Sequence, residues 1–145
     1  MKNNLILRVI VKYLFPVIAL FAFYVLFHGD YGPGGGFQAG VILSVAFIFY
    51  ALVFGMETTE QVLPPNVLRL LASTGVLIYA GTGIVTMLMG GNFLDYDLLS
   101  LHPLQGQHIG IMLIELGVGI TVSSVMLIIF YAFANRGRPW ENDND

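Results

Sequence analysis

Four long apolar runs alternate with short polar segments along this 145-residue chain. They cover approximately residues 9–27, 37–54, 70–89 and 109–133. A helix rises about 1.5 Å per residue and a hydrocarbon core is about 30 Å thick, so roughly 17–25 apolar residues cross a membrane. The pattern predicts an all-α membrane protein, with one four-helix transmembrane domain over residues 1–145 and a polar C-terminal tail at 136–145.

Composition supports a membrane protein and narrows its chemistry. The chain is 57% hydrophobic and 10% charged, whereas soluble chains carry roughly 25% charged residues. It has no cysteine, which excludes disulfides, thiolate catalysis and cysteine-ligated metals. No nucleotide-binding fingerprint or nucleophile-elbow context is present. We therefore predict no cofactor, no nucleic-acid partner and no enzyme activity.

The first apolar run has a competing interpretation as a signal peptide, because Lys2, Arg8 and Lys12 precede or enter it. Segment 19–28 offers no small-x-small cleavage site, and processing would leave the following glycine-rich loop as an N-terminus. We therefore interpret the run as a membrane span.

Basic residues are distributed unevenly between the connecting segments. All six lie near the N-terminus, beside the second loop or after the last run: Lys2, Arg8, Lys12, Arg69, Arg136 and Arg138. Loops 28–36 and 90–107 contain no Lys or Arg. Because short basic segments stay on the cytoplasmic side, we expect both termini and the second loop to be cytoplasmic. Loops 28–36 and 90–107 then face outward.

The segment from His28 to Gly40 holds six glycines and one proline in thirteen residues. Glycine reaches backbone angles that other residues avoid and proline fixes its own, so the segment predicts one specific turn. Small residues at Gly36, Gly40 and Ser44 recur every fourth position, which favours close packing of the second span on another helix. Gln38 is expected to bond loop carbonyls or a neighbouring chain. We predict mainly a packing role, with a direct role in guiding ions as the alternative.

Glu115 is the one charged side chain that lies inside a predicted span rather than at its end or in a loop. The helical rise from His108 places it on the order of 10 Å into the membrane. A carboxylate at that depth is costly, so it should face protein or water. Desolvation favours the neutral acid, which suits a proton carrier. The sequence leaves open whether Glu115 belongs to a proton or cation pathway or only hydrogen-bonds another helix.

His108 is a second pathway candidate. His108, Gly119 and Ser123 lie on the same side of the helix as Glu115, within about 80° at 100° per residue. His108 could relay protons from the outer surface through water, although a capping or interfacial role is the alternative. Four outer-side residues could in principle gather round zinc, but their spacing carries no metal signature and we predict no metal site: His28, Asp30, His102 and His108.

Two motifs carry a family resemblance, namely Pro33-Gly-Gly-Gly-Phe-Gln-Ala-Gly40 and Ile114-Glu-Leu-Gly-Val-Gly-Ile-Thr-Val122. Together they resemble the B subunit of the Mrp-type (Mnh, Sha) multisubunit Na+/H+ antiporters over nearly the whole chain. The matching loop residues are Pro33, Gly34, Gly35, Gly36, Phe37 and Gly40, and the matching last-helix residues are Glu115, Gly117 and Val118.

The resemblance implies a multi-pass subunit of a bacterial inner membrane, surrounded by lipid. It also implies partner subunits, including large ones similar to the proton-pumping subunits of respiratory complex I. We expect an accessory subunit of a Na+/proton antiporter that supports pH homeostasis, helps assembly and lines an ion or proton pathway. The alternatives are a membrane-arm subunit of a hydrogenase or other redox-linked complex, and a purely structural scaffold.

Overall fold

A computed structural model describes residues 5–29 and 32–136, so Asp30 and most of the predicted tail lie outside the described residues. The chain forms helices α1 (Leu5–His28), α2 (Gly36–Phe54), α3 (Met56–Val62), α4 (Pro65–Leu88) and α5 (Pro103–Asn135), with a 3-10 turn at Tyr96–Leu99. In the described part of the chain, α1, α2, α4 and α5 are long and apolar enough to cross a membrane. The predicted all-α class with four spans is confirmed.

Two of the long helices begin well before the apolar runs that predicted them. Pro65 and Pro103 occupy the first helical positions of α4 and α5, where proline loses no helical hydrogen bond. The runs at 70–89 and 109–133 were bounded by hydropathy, which misses the polar residues of these first turns. The short helix α3 was not predicted, and it follows α2 through Gly55, whose φ is 96°. The division into a single domain stays a prediction.

The long helices pack in the order α1, α2, α5, α4. Helix α5 contacts both α2 and α4, and α1 packs mainly on α2. The rings of Phe15 and Phe47 join α1 to α2 edge to face, with centroids 5.1 Å apart. The turn between α1 and α2 and the 3-10 turn lie at one end of the bundle. Helix α3 lies at the other.

Helix α5 is central because it presents glycine on two opposite sides. Gly117 and Gly119 are two residues apart, which at 100° per residue places them on nearly opposite faces. A β-carbon at Gly117 would lie 2.8 Å from the Gly75 carbonyl oxygen of α4. One at Gly119 would lie 3.3 Å from the Gly36 carbonyl oxygen of α2. The backbones of α2 and α4 therefore both lie in close contact with the backbone of α5.

The α3 end of the bundle is held by a small core and two polar contacts. Leu68, Leu127 and Tyr131 are almost fully buried there. The Tyr131 hydroxyl donates to the Leu63 carbonyl at 3.2 Å, and the Asn135 amide donates to Glu60 at 3.0 Å. These contacts tie α5 to the segment between α2 and α4, so the connection packs against the bundle.

Replacing Gly75 with alanine is expected to destabilise the packing of α4 on α5. The added β-carbon would overlap the Thr121 hydroxyl and lie 2.5 Å from the Gly117 carbonyl oxygen. Backbone cannot move aside unless the helices separate, and overpacking of this kind costs about 1–3 kcal/mol. The thermal unfolding midpoint of the purified chain in detergent should fall.

Gly81→Ala is the matched control, because a β-carbon at Gly81 meets nothing within 4 Å. Both variants add one methyl group to α4 and gain the same helix propensity. Equal unfolding midpoints for the two variants would contradict a backbone-to-backbone contact at Gly75.

Candidate functional site

The candidate site begins at the turn between α1 and α2, which we call the glycine turn and define as Gly29 and Gly32–Gly36. The Gly32 amide donates to the His28 carbonyl at 3.1 Å and ends α1. Gly35 has φ 135° and ψ −173° and is the N-cap of α2, and its carbonyl accepts from the Ala39 amide at 3.0 Å. Such backbone angles are essentially restricted to glycine. The predicted specific turn therefore depends most directly on Gly35.

The side chain of Glu115 lies against this turn. A β-carbon at Gly29 would be 2.5 Å from one carboxylate oxygen and 2.6 Å from the other. One at Gly35 would be 2.9 Å from the first of these oxygens. A β-carbon at Gly36 would overlap the backbone carbonyl of Glu115 itself. Three glycines thus make the space that the half-buried glutamate occupies.

The Glu115 carboxylate lies beside Gly35, and this position matters electrostatically because it is the N-terminal end of α2. The N-terminal amides of a helix lack intrahelical acceptors, and the helix dipole places partial positive charge there. A carboxylate at such an end is stabilised without any basic side chain. The sequence predicted that Glu115 needs a polar neighbour, and the glycine turn is one.

The predicted stripe on α2 continues the same contact into the bundle. A β-carbon at Gly40 would lie 2.7 Å from the Gly119 carbonyl oxygen and 3.1 Å from the Ser123 amide nitrogen. Ser44 is fully buried, and its hydroxyl donates to the Val41 carbonyl at 2.7 Å. The stripe and Glu115, which the sequence analysis treated as separate features, form one interface between α2 and α5.

An apolar cavity of about 170 Å³ lies beyond Glu115, between α1, α2 and α5. Its walls include Phe23, Leu26, Leu43, Leu116 and Ile120. The described residues lining it carry no charge, and its one hydroxyl, from Ser123, already donates to the Ile120 carbonyl.

The remaining predicted site residues lie around this contact or apart from it. His108 is exposed and two helical turns from Glu115, on the order of 10 Å along the axis, and its predicted relay through water stays a prediction. Gly34 lies over α1, since its β-carbon would be 3.2 Å from the Val25 carbonyl oxygen. Pro33, Phe37 and Gln38 are exposed. The predicted hydrogen bond of Gln38 stays a prediction.

Gly29 is the site residue that sequence reasoning missed. It belongs to the glycine-rich segment but stands outside the proline-glycine motif, and the sequence assigned it no role of its own. The number of glycines could have revealed the role of Gly29. Of the described glycines in the turn, Gly35 is the one with positive φ, so the turn has more glycines than its backbone angles require. Surplus glycine at a turn indicates that something else fills the space.

Comparison with known proteins gives a consistent match. Residues 6–128 match a family model described as a domain related to the MnhB subunit of the Na+/H+ antiporter. Among curated proteins, those named "Putative antiporter subunit mnhB2" from Staphylococcus aureus strains Newman, JH1 and Mu3 are 35% identical over 136 residues. Each match covers 92% of this chain and 96% of the relative. The resemblance inferred from the two motifs is confirmed.

Gly35→Ala is expected to lower the stability of the chain, because alanine is strained at φ 135° and its β-carbon would crowd the Glu115 carboxylate. Strain of this kind costs about 1–3 kcal/mol. The amount of chain in the membrane and its unfolding midpoint in detergent should both fall. Gly32→Ala serves as the control, since its β-carbon would meet the His28 ring at an ordinary 3.5 Å. Wild-type values for Gly35→Ala would refute the assigned turn.

Proposed function

Because the chain belongs to the MnhB family of Na+/H+ antiporter subunits, we propose that it has two roles in its antiporter. The first is to help hold the complex together. The second is to supply one acidic group, Glu115, to the path of the exchanged proton or cation. The chain is a multi-pass protein of the bacterial plasma membrane and a transporter component, and other antiporter subunits are its partners.

The observation that carries the pathway role is the contact of Glu115 with the glycine turn. An acidic group at membrane depth is costly and is usually retained for ion or proton movement. Here the carboxylate lies against the backbone of Gly29 and Gly35, at the start of α2. In this position it is proposed to bind and release the exchanged proton or cation.

The cavity beyond Glu115 supports a path that is shared between subunits. Its described lining is apolar, and we propose that an ion reaching Glu115 continues through a neighbouring chain. The large subunits that the resemblance implies, similar to the proton-pumping subunits of complex I, are the proposed neighbours. A lone carboxyl group is insufficient for coupled exchange, and this favours an accessory role over an independent antiporter.

A purely structural scaffold is the second candidate, and the close glycine contacts favour it. The α2–α5 interface at Gly36 and Gly40 would be as tight whether or not Glu115 binds an ion. The two candidates differ in what happens when the charge is removed and the shape is kept. The comparisons name an antiporter subunit rather than a redox-linked complex, so the hydrogenase alternative is not proposed.

We also propose that the glycine turn faces the outside and that α3 faces the cytoplasm, as the basic residues indicate. The absence of native cysteine makes a labelling test clean. Asn92→Cys and Gln61→Cys place thiols at exposed positions at the two ends of the bundle. In intact cells an impermeant maleimide should label the first variant and spare the second. The opposite pattern would invert the proposed topology.

Glu115→Gln is the test of the pathway role. The amide keeps the shape of the side chain and removes its charge and its exchangeable acid proton. With the partner subunits present, assembly should stay near the wild-type level, while Na+/H+ exchange in everted vesicles should fall on the order of 100-fold or more, as for loss of an essential acid.

Glu57→Gln is the control, since Glu57 is an exposed glutamate of α3 at the other end of the bundle. It should retain exchange. Normal exchange by the assembled Glu115→Gln complex at every pH tested would leave the scaffold role standing and remove the pathway role.

A further inference from the structure

Gly29 stands in a different relation to Glu115 from the other glycines of the turn. The three atoms nearest to a β-carbon at Gly29 are the two carboxylate oxygens and the carbon that joins them, at 2.5, 2.6 and 2.8 Å. At Gly36 the nearest atoms belong to the Glu115 backbone. A side chain at Gly36 would therefore push helices apart, whereas one at Gly29 would displace the carboxylate group.

Glycine at position 29 is needed for space rather than for backbone conformation. The positive-φ glycines of the described chain are Gly35, Gly55 and Gly90, and Gly29 is not among them. Alanine at position 29 would thus be compatible with the local φ angle. A methyl group at this position would require the carboxylate to move, since β-carbons essentially never come as close to other atoms as 2.5 Å.

We propose that Gly29 is a positioning residue for the Glu115 carboxylate and thereby sets how tightly the site holds the exchanged cation. The empty space at Gly29 lets the carboxylate lie between the end of α1 and the start of α2, next to Gly35. This inference rests on the proposed pathway role of Glu115. It adds that the residue directly after α1 sets the ion affinity of the site.

Gly29→Ala in the complete antiporter is the first variant to measure. The added methyl group should move the carboxylate from the start of α2 and leave the helix contacts at Gly36 and Gly40 in place. The half-saturating Na+ concentration for exchange in everted vesicles should change on the order of tenfold, a typical coupling between contacting groups. The amount of assembled complex should change little. Gly81→Ala, in α4 and outside the site, adds a methyl group that meets nothing within 4 Å and should behave as wild type.

A shortened acid gives a rescue that a general packing defect would not show. Glu115→Asp withdraws the carboxylate by one methylene group and makes room for the methyl group of Gly29→Ala. Each single variant should impair exchange, and the double variant should exchange better than Gly29→Ala alone. Should Gly29→Ala fail to assemble, recovery of both assembly and exchange in the double variant supports the proposal.

Three results would overturn the positioning role: half-saturating Na+ for Gly29→Ala equal to that of Gly81→Ala, defects that simply add in the double variant, or reduced assembly with unchanged exchange per complex. Failure of the underlying pathway role is recognised separately. It would appear as normal exchange by Glu115→Gln, a variant that leaves Gly29 and the shape of the contact intact.

Discussion

The structure depends on how a carboxylate is accommodated within an apolar span. Exposing the Glu115 carboxylate to lipid would cost free energy. In this chain it lies against the backbone of Gly29 and Gly35 at the N-terminal end of α2. Peptide dipoles at that end stabilise negative charge. A β-carbon at Gly29 or Gly35 would occupy the place of the carboxylate, and Gly35 also has backbone angles that other residues disfavour. One interaction thus explains both unusual features of the sequence.

The same contact organises the bundle. In lipid there is little hydrophobic drive between helices, so close backbone approach and polar contacts hold them together. Helix α5 meets α2 through Glu115 and Gly119 and meets α4 through Gly117. The Glu-Leu-Gly-Val-Gly sequence therefore forms the contacts of α5 with both α2 and α4. Most substitutions in this stretch would disturb both the helix packing and the carboxylate. The two effects are separated by Glu115→Gln, which removes only the charge, and by Gly29→Ala, which fills only the space beside the carboxylate.

Hydropathy predicted the helical class and the four spans, because each span must bury its backbone hydrogen bonds within itself. The every-fourth-residue spacing of Gly36, Gly40 and Ser44 predicted a packed face, and burial cost predicted a partner for Glu115. These two signals could not show that the glycine turn and Glu115 contact each other. The two segments are about eighty residues apart, and local sequence rules carry no information on which distant segments pair. Gly29 was missed because a glycine at a helix end has a sufficient local explanation. The first turns of α4 and α5 were missed because they are polar.

In the proposed role, the glycine turn holds a carboxyl group that gains and loses a proton or cation during exchange. Infrared difference spectroscopy on the assembled antiporter measures this directly, by comparing spectra as pH and Na+ are varied. We expect a protonated-carboxyl band that changes with both pH and Na+ and is lost when residue 115 is glutamine. A difference spectrum identical in the presence and absence of the Glu115 carboxyl group would contradict it.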